Sequence, residues 1–431
     1  MKKNVVIAFF SLLIEVSSLS TSSYSIRETT DNLHFCLEYH IIKNVDYVGQ
    51  ETGIDCEIAS FSMLLKYLDK NCSLHELFYL LGAAHGLGFT IPLKKTNLMN
   101  RFRPSSISPG SLQSIWVDDW SFVSNLFGLK ANIIYNQSEN NQNNAWGEYW
   151  NRVKYYISQD KPVFTMINMS ELTRYKEDED FPSHYPMCHA IVIVGYNQSN
   201  KTVCIHDPEP GYYNESEKGT YVFENVTTLQ KAVTTSTESP FIIYRYGYVT
   251  ITLDEIADSL PKKQAFEMAH YRNLGKLDGS LWAYDEIYRE NSLFGVDATI
   301  QFQKNMKPLK FLIQIPKYWI ANRVSEKFFN DSIFPFDLIP SFIYVIKQEK
   351  EFASDALFNN NFDEVLKYEG EYLKNESNKW NEYYNLYLEF VNNLKNFGLV
   401  KTIINSTPIL LKMNNILDEI ISIQELILEN N

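Results

Sequence analysis

The pattern of apolar and polar positions changes character once along this chain. Up to about residue 253, apolar runs of strand length alternate with helical periods; beyond it the strand patterns stop and long helical periods take over. In the first part, residues 59–68 repeat apolar side chains at helical spacing and predict a buried helix. Ser73-Leu74-His75-Glu76 is a capping box that opens a second helix through Leu81. Gly82, Gly86 and Gly88 then break the chain before Phe89-Thr90-Ile91. Helices are expected over 120–127, 146–159 and 228–233. Strands are expected at 35–37, 40–42, 131–135, 162–167, 219–223 and 241–252. Two further strands, 189–196 and 202–206, flank the turn residues Asn197-Gln198-Ser199-Asn200. The prolines and glycine of 207–211 predict irregular backbone. Past residue 253, helices are expected over 254–274, 281–290, 343–358, 362–390 and 409–428, with 305–340 broken by prolines. The sum is an α+β fold: a domain at 26–253 with N-terminal helices on an antiparallel sheet, then a mainly helical domain at 254–431.

Composition narrows this picture. A chain of 431 residues with 45% hydrophobic content can bury one large core or two ordinary ones. The net charge of −13 and the lack of any basic run argue against a nucleic-acid partner. Lys2 and Lys3, an apolar run over 5–14 and small residues through Ser25 read as a secretory signal, residues 1–25, and place the chain as secreted or exported. That run is too short to span a bilayer, and no later stretch reaches about 18 unbroken apolar residues. No membrane span is therefore expected in the mature chain. The five cysteines are Cys36, Cys56, Cys72, Cys188 and Cys204, an odd count that leaves one thiol unpaired. His184, Cys188, Cys204 and His206 cluster in sequence without metal-ligand spacing. The glycines at 82–88 lack a following Gly-Lys-Ser/Thr, so they read as permitting close backbone approach to the Cys56 helix, or as cleft lining, rather than as a phosphate loop.

One stretch carries the chemistry. A polar loop through Gly49, Gln50 and Gly53 runs into the apolar helix at Asp55-Cys56. Asp55 is placed to cap that helix and Cys56 falls in its first turn, where the helix dipole favours a thiolate. His189 opens one strand and Asp207 ends the next, so a short antiparallel turn brings them to one edge of the sheet. An acid beside the imidazole fixes its tautomer and raises its basicity. The Gln50 amide, with the Cys56 N–H, can stabilise an oxyanion. Each residue also has an ordinary reading: Cys56 as a core cysteine, His189 as a satisfied core histidine, Asp207 as a turn starter, Gln50 as a loop residue.

Gln50, Asp55-Cys56-Glu57, Ala59 and the helix, then His189 on an apolar strand and Asp207-Pro208, resemble the papain-like superfamily in its bacteriocin-processing (double-glycine) peptidase branch. Phytochelatin synthases share the same logic. Glu57 stands where that branch has glycine. The resemblance implies a papain-like fold with nucleophile Cys56, base His189, orienting Asp207 and oxyanion helper Gln50. The run 73–82 and Gly86-Leu87-Gly88-Phe89 also look like the butirosin-biosynthesis protein H family, whose archetype moves an acyl group from a carrier-protein thioester to an amine. The implied activity is cysteine-dependent acyl transfer on an amide or thioester, as a peptidase-like hydrolase or an amine acyltransferase. It needs no cofactor and no metal. The implied partners are a peptide or acyl-thioester substrate, with an acyl-carrier protein or an amine acceptor in the transferase case. Glu57 and the helical C-terminal part motivate the alternative, a non-catalytic secreted binding protein that keeps the papain-like cleft.

Overall fold

The computed structural model describes residues 37–90, 106–110, 117–136, 142–177, 188–234, 237–238, 243–244, 248–281, 292–307, 335–360, 362 and 364–430. The expected leader at 1–25, Cys36 and nearly all of the expected helix at 281–290 lie outside these residues. β1 (Tyr39–Ile41) leads into the loop that ends at α1 (Cys56–Tyr67). Every side chain from Ile58 to Leu65 of α1 is buried, as befits a helix that is apolar nearly all round. α2 (Leu74–Leu80) begins with both halves of its capping box: Ser73 Oγ accepts from the Glu76 N–H (3.2 Å), and Glu76 Oε2 accepts from the Ser73 N–H (2.9 Å).

The Gly-broken turn enters β2 (Gly88–Thr90), which pairs with β3 (Ser106–Ser108). Then come α3 (Val117–Leu126), β4 (Leu129–Asn136), α4 (Gln142–Ser158), β5 (Val163–Asn168), α5 (Thr173–Glu177), β6 (Cys188–Asn197) and β7 (Thr202–His206). The short helices α6 (Glu209–Tyr212) and α7 (Ser216–Gly219) precede β8 (Val222–Asn225), α8 (Val226–Thr234), β9 (Thr237–Glu238), β10 (Ile243–Tyr244) and β11 (Tyr248–Glu255). A seven-stranded antiparallel sheet runs β4-β11-β5-β6-β7-β8, with β1 also paired to β6. β6 is its spine. All of 189–196 is buried, so both of its faces are covered, and α1 and α4 both pack on it.

The structure corrects several local expectations. Residues 207–211 are not irregular throughout: α6 forms there, with proline in its first turn, where a missing N–H costs nothing. The strand expected at 219–223 is displaced to β8 because α7 takes up residues as far as Gly219. The strand expected at 241–252 divides into β10, on a ribbon with β9, and β11 in the main sheet. β11 extends to Glu255, so the helix expected from 254 starts later, as α9 (Lys262–Leu277).

β12 (Ser292–Phe294) pairs with β2 and opens α10 (Gly295–Met306). Three long helices follow: α11 (Pro335–Asn359), α12 (Glu364–Asn396) and α13 (Leu399–Glu429). α13 runs through Pro408, an interruption from which a shorter helix was expected. Glu38–Asn431 pack as one compact unit. Its main core draws on α1, α2 and the sheet and also on Ala353, Leu366 and Leu373 of α11 and α12.

The glycine-broken turn after α2 is where these later helices attach. Lys276 Nζ of α9 donates to the Leu81 carbonyl (2.7 Å), and Lys350 Nζ of α11 donates to the Ala84 carbonyl. Gly82 has φ +72°, and a Cβ there would stand 2.6 Å from Asn273 Oδ1. The turn is thus a buried docking point for α9 and α11, where its glycines were expected to approach the Cys56 helix or line the cleft.

Candidate active site

β6 and β7 meet as the antiparallel register requires, Val192 opposite His206. Their adjoining ends hold His189 and Asp207, both almost wholly buried. His189 Nε2 lies 2.8 Å from Asp207 Oδ1. Asp207 Oδ1 also accepts from the Glu209 N–H (3.1 Å), and Oδ2 accepts from the Tyr175 hydroxyl (2.8 Å). Burial opposes the Asp207 charge, but His189, the Tyr175 hydrogen bond and Arg174 outweigh it and hold the carboxyl below its ordinary value. An ionised Asp207 can only accept, so Nε2 carries a proton, and Nδ1 is the nitrogen left to face another group.

Cys56 is the first residue of α1, which packs on β6, and its sulfur is near enough to the Ala190 N–H, next along the chain from His189, for that group to favour the thiolate. The α1 terminus therefore presents the thiol to the His189 end of β6. The thiol itself departs from expectation. Burial pushes it well above its usual range, and the Glu57, Cys188 and Glu209 charges add to the shift, against the Ala190 hydrogen bond. The helix terminus does not win because the sulfur is out of water and stands among acids. Asp55 also behaves differently from a capping residue. It makes no side-chain cap; its carboxylate turns back to accept from the N–H groups of Glu51 (3.1 Å) and Thr52 (2.9 Å) and from the Thr52 hydroxyl (2.9 Å). Burial lifts Asp55 to about 7.

Gln50 is buried beside this loop, and both hydrogens of its amide are engaged. Nε2 donates to the Thr52 carbonyl (2.9 Å) and to Glu209 Oε2 (2.6 Å). In this state the amide is committed to Glu209 and not open to an oxyanion. The loops that carry Gln50 and Glu209 are clamped together. The Gln50 N–H donates to the Pro208 carbonyl (3.1 Å), and the Tyr47 hydroxyl donates to the Asp207 carbonyl (2.9 Å) and accepts from the Gly211 N–H (3.0 Å). Backbone passes backbone at Gly49 and Gly211: a Cβ on Gly211 would stand 2.2 Å from Gly49 Cα. Gly211→Ala is therefore expected to cost about 1–3 kcal/mol through forced separation of the two loops. Urea unfolding checks the cost, and slower alkylation of Cys56 in the folded variant checks the coupling to the site.

Three functional neighbours had little or no signal in the sequence. Tyr175 sits in a charged segment with no motif, Tyr47 precedes the Gly49-Gln50 pair, and Glu209 lies between two prolines. His206 faces away from this chemistry: its ring packs edge-on to Tyr221 (4.4 Å) and burial pulls it down to about 4. Cys56, Cys72, Cys188 and Cys204 are all free thiols. Among the described residues no group of three or more His, Cys, Asp or Glu side chains is placed to hold a metal ion, and no helix is long and apolar enough to cross a membrane.

No curated protein matches the chain. Residues 42–228, the segment that holds Gln50, Cys56, His189 and Asp207, match the model of the Peptidase_C39 like family, and it is to that peptidase family that this part of the chain is similar.

Proposed function

We propose that this chain is a cysteine peptidase-like enzyme that works through an acyl-enzyme on Cys56. The observation that carries the reading is the buried His189–Asp207 pair, 2.8 Å apart, at the β6 end where α1 delivers the Cys56 sulfur. The family match of residues 42–228 supports the same class.

In this reading His189 Nδ1 takes the Cys56 proton as sulfur attacks the carbonyl of an amide or thioester. The carbonyl oxygen becomes an oxyanion against the Cys56 N–H. The Gln50 amide joins it by exchanging Glu209 for the oxyanion. His189 returns its proton to the leaving amine or thiol as the carbon–leaving-group bond breaks, and the acyl group stays on sulfur. Water or an amine then attacks that thioester, with His189 as base, and frees Cys56. Hydrolysis and amine acyl transfer differ only in this second acceptor, so the acyltransferase chemistry of the butirosin-biosynthesis protein H type belongs to the same proposal. So does export of the chain, on the leader pattern at 1–25.

One observation favours a second reading, a binding protein that keeps the cleft: burial and acidic neighbours hold the Cys56 thiol up. The two readings part in a trapping experiment. The full chain is incubated with a panel of peptidyl vinyl sulfones and acyl thioesters and followed by intact mass. A single adduct on Cys56, absent from Cys56→Ala, is expected. Labelling of Cys56 no faster than a free peptide thiol, across the panel, would leave the binding protein.

A further inference from the structure

Beside the sulfur lies a set of groups that the acyl-transfer steps do not use. Glu57 and Glu209 are both half-buried, and both stand within electrostatic reach of Cys56. Among the described residues the Glu57 carboxyl has no hydrogen-bond partner, and burial alone holds it at about 8. Glu209 accepts from Gln50 Nε2 at 2.6 Å, and burial raises it too, against His189 and a hydrogen bond from Tyr213. Gln50 Oε1 shares the amide carbon with that nitrogen, is buried, and accepts no hydrogen bond from the described residues. A buried acceptor without a donor costs about 1–3 kcal/mol. The corner beside the nucleophile is therefore rich in acceptors and short of donors.

The rim supplies a second, independent feature. Tyr212 is 40% exposed and Tyr213 60%, with their rings edge to face at 5.1 Å. Burial raises the Tyr212 phenol, and Tyr344 of α11 and Glu209 stand near enough to add to the shift. Tyr212 stands one turn from Glu209 on α6, and an exposed aromatic ring beside a half-buried carboxylate favours an alkylammonium group. Arg174 is the cation on the far side, held to the Lys218 carbonyl (3.4 Å) and over the Tyr175 ring (5.0 Å).

We infer that Glu57, Glu209, Gln50 Oε1 and Tyr212 form a specificity pocket for a protonated amine, carried by the acyl donor close to the carbonyl that Cys56 attacks. The inference rests on Cys56 being the acyl-accepting sulfur. An entering ammonium donates to Glu209 and Gln50 Oε1, restores the charge of Glu57, and draws Glu209 off the Gln50 amide, which frees that amide for the oxyanion. Binding of the right substrate and completion of the oxyanion site become one event.

Charged methanethiosulfonates test the pocket without a known substrate. Thiolate attack on the sulfenyl sulfur forms a mixed disulfide and releases methanesulfinate. Rates on Cys56 are taken for the aminoethyl reagent, protonated at pH 7, and the sulfonatoethyl reagent, with Cys56→Ala as background and each rate divided by that of a free peptide thiol. The cationic reagent is expected to be favoured about tenfold. Glu209→Gln, which keeps shape and hydrogen bonds, should remove most of that preference, and Tyr212→Ala, at an exposed position, part of it. A normalised ratio of one, or a preference that survives Glu209→Gln, Glu57→Gln and Tyr212→Ala, would overturn the pocket while leaving the acyl-enzyme reading to its own trapping test. Failure of trapping with the ratio intact would sink that reading and leave only a cation-binding corner beside Cys56, with no acyl donor to select.

Discussion

His189→Ala is expected to slow alkylation of Cys56 at pH 7 by about 10²–10⁴-fold, the usual worth of a positioned base. The size of the effect follows from the state of the thiol. Burial and the Glu57, Cys188 and Glu209 charges hold Cys56 protonated well beyond the ordinary thiol range, so it has little thiolate of its own at neutral pH. Reaction there requires a nitrogen that accepts the proton as sulfur attacks. In the proposed reading His189, 2.8 Å from Asp207, carries that nitrogen. Without it, the rate should recover only as pH climbs past the ordinary thiol value, and the profile should rise without a neutral plateau. The measurement is the iodoacetamide rate against pH, read by mass on the Cys56 peptide. Equal rates for the wild type and His189→Ala at pH 7 would separate the imidazole from the sulfur and remove the basis for an acyl-enzyme. Asp207→Asn should fall between the two, because Nε2 then loses an ionised acceptor but the ring remains.

What the sequence made legible is what short-range physics decides. The α2 capping box lies within four residues, and it forms as written. β6 and β7 are apolar runs on either side of a four-residue turn, so their pairing and the meeting of His189 with Asp207 follow from register alone. The placement of Cys56 at the start of α1 follows from the polar-to-apolar change at Asp55. The remaining features depend on distant chain. The raised thiol, the reverse of the expected direction, comes from burial against the rest of the fold and from the charges of Glu57, Cys188 and Glu209, only the first of which is near it in sequence. The Gln50–Glu209 contact depends on the close pass of Gly49 and Gly211, and neither glycine signals its partner. β12 is three residues with no pattern of its own and exists because β2 offers an edge. The helix α13 runs through Pro408 because packing of its flanks, not local propensity, decides its length.

Glu369→Ala should be the most destabilising single change away from the site, at about 3–5 kcal/mol. Three segments converge on this fully buried carboxylate of α12. His270 Nδ1 of α9 meets Oε2 at 2.6 Å, the Tyr79 hydroxyl of α2 donates to Oε2 at 2.8 Å, and His85 Nε2 of the glycine-broken turn stands 2.8 Å from Oε1, off the line of a hydrogen bond. Lys350 and Glu376 face His85 from α11 and α12. Burial opposes the Glu369 charge, but His270 and His85 overcome it and hold the carboxyl at about 2. Alanine would take this acceptor from the Tyr79 phenol and the His270 imidazole and remove the carboxylate beside His85. The same group sets a pH dependence of definite sign. Because its folded value lies below the ordinary 4.5, its contribution is complete above that value and drains away as pH falls toward about 2, some 3 kcal/mol in all. His85 adds an earlier loss in the same direction: burial lowers its folded value beneath 6.5, so acid favours the unfolded chain from about that pH downward. Urea unfolding at pH 7, 5 and 3.5 should give a wild-type curve that steepens below 4.5 and a Glu369→Gln curve that is lower at pH 7 and flatter on the acid side. Parallel curves for the two proteins would mean that the carboxylate is not what ties α9 and α12 to the turn after α2, and that apolar packing of Ala353, Leu366 and Leu373 holds these helices unaided.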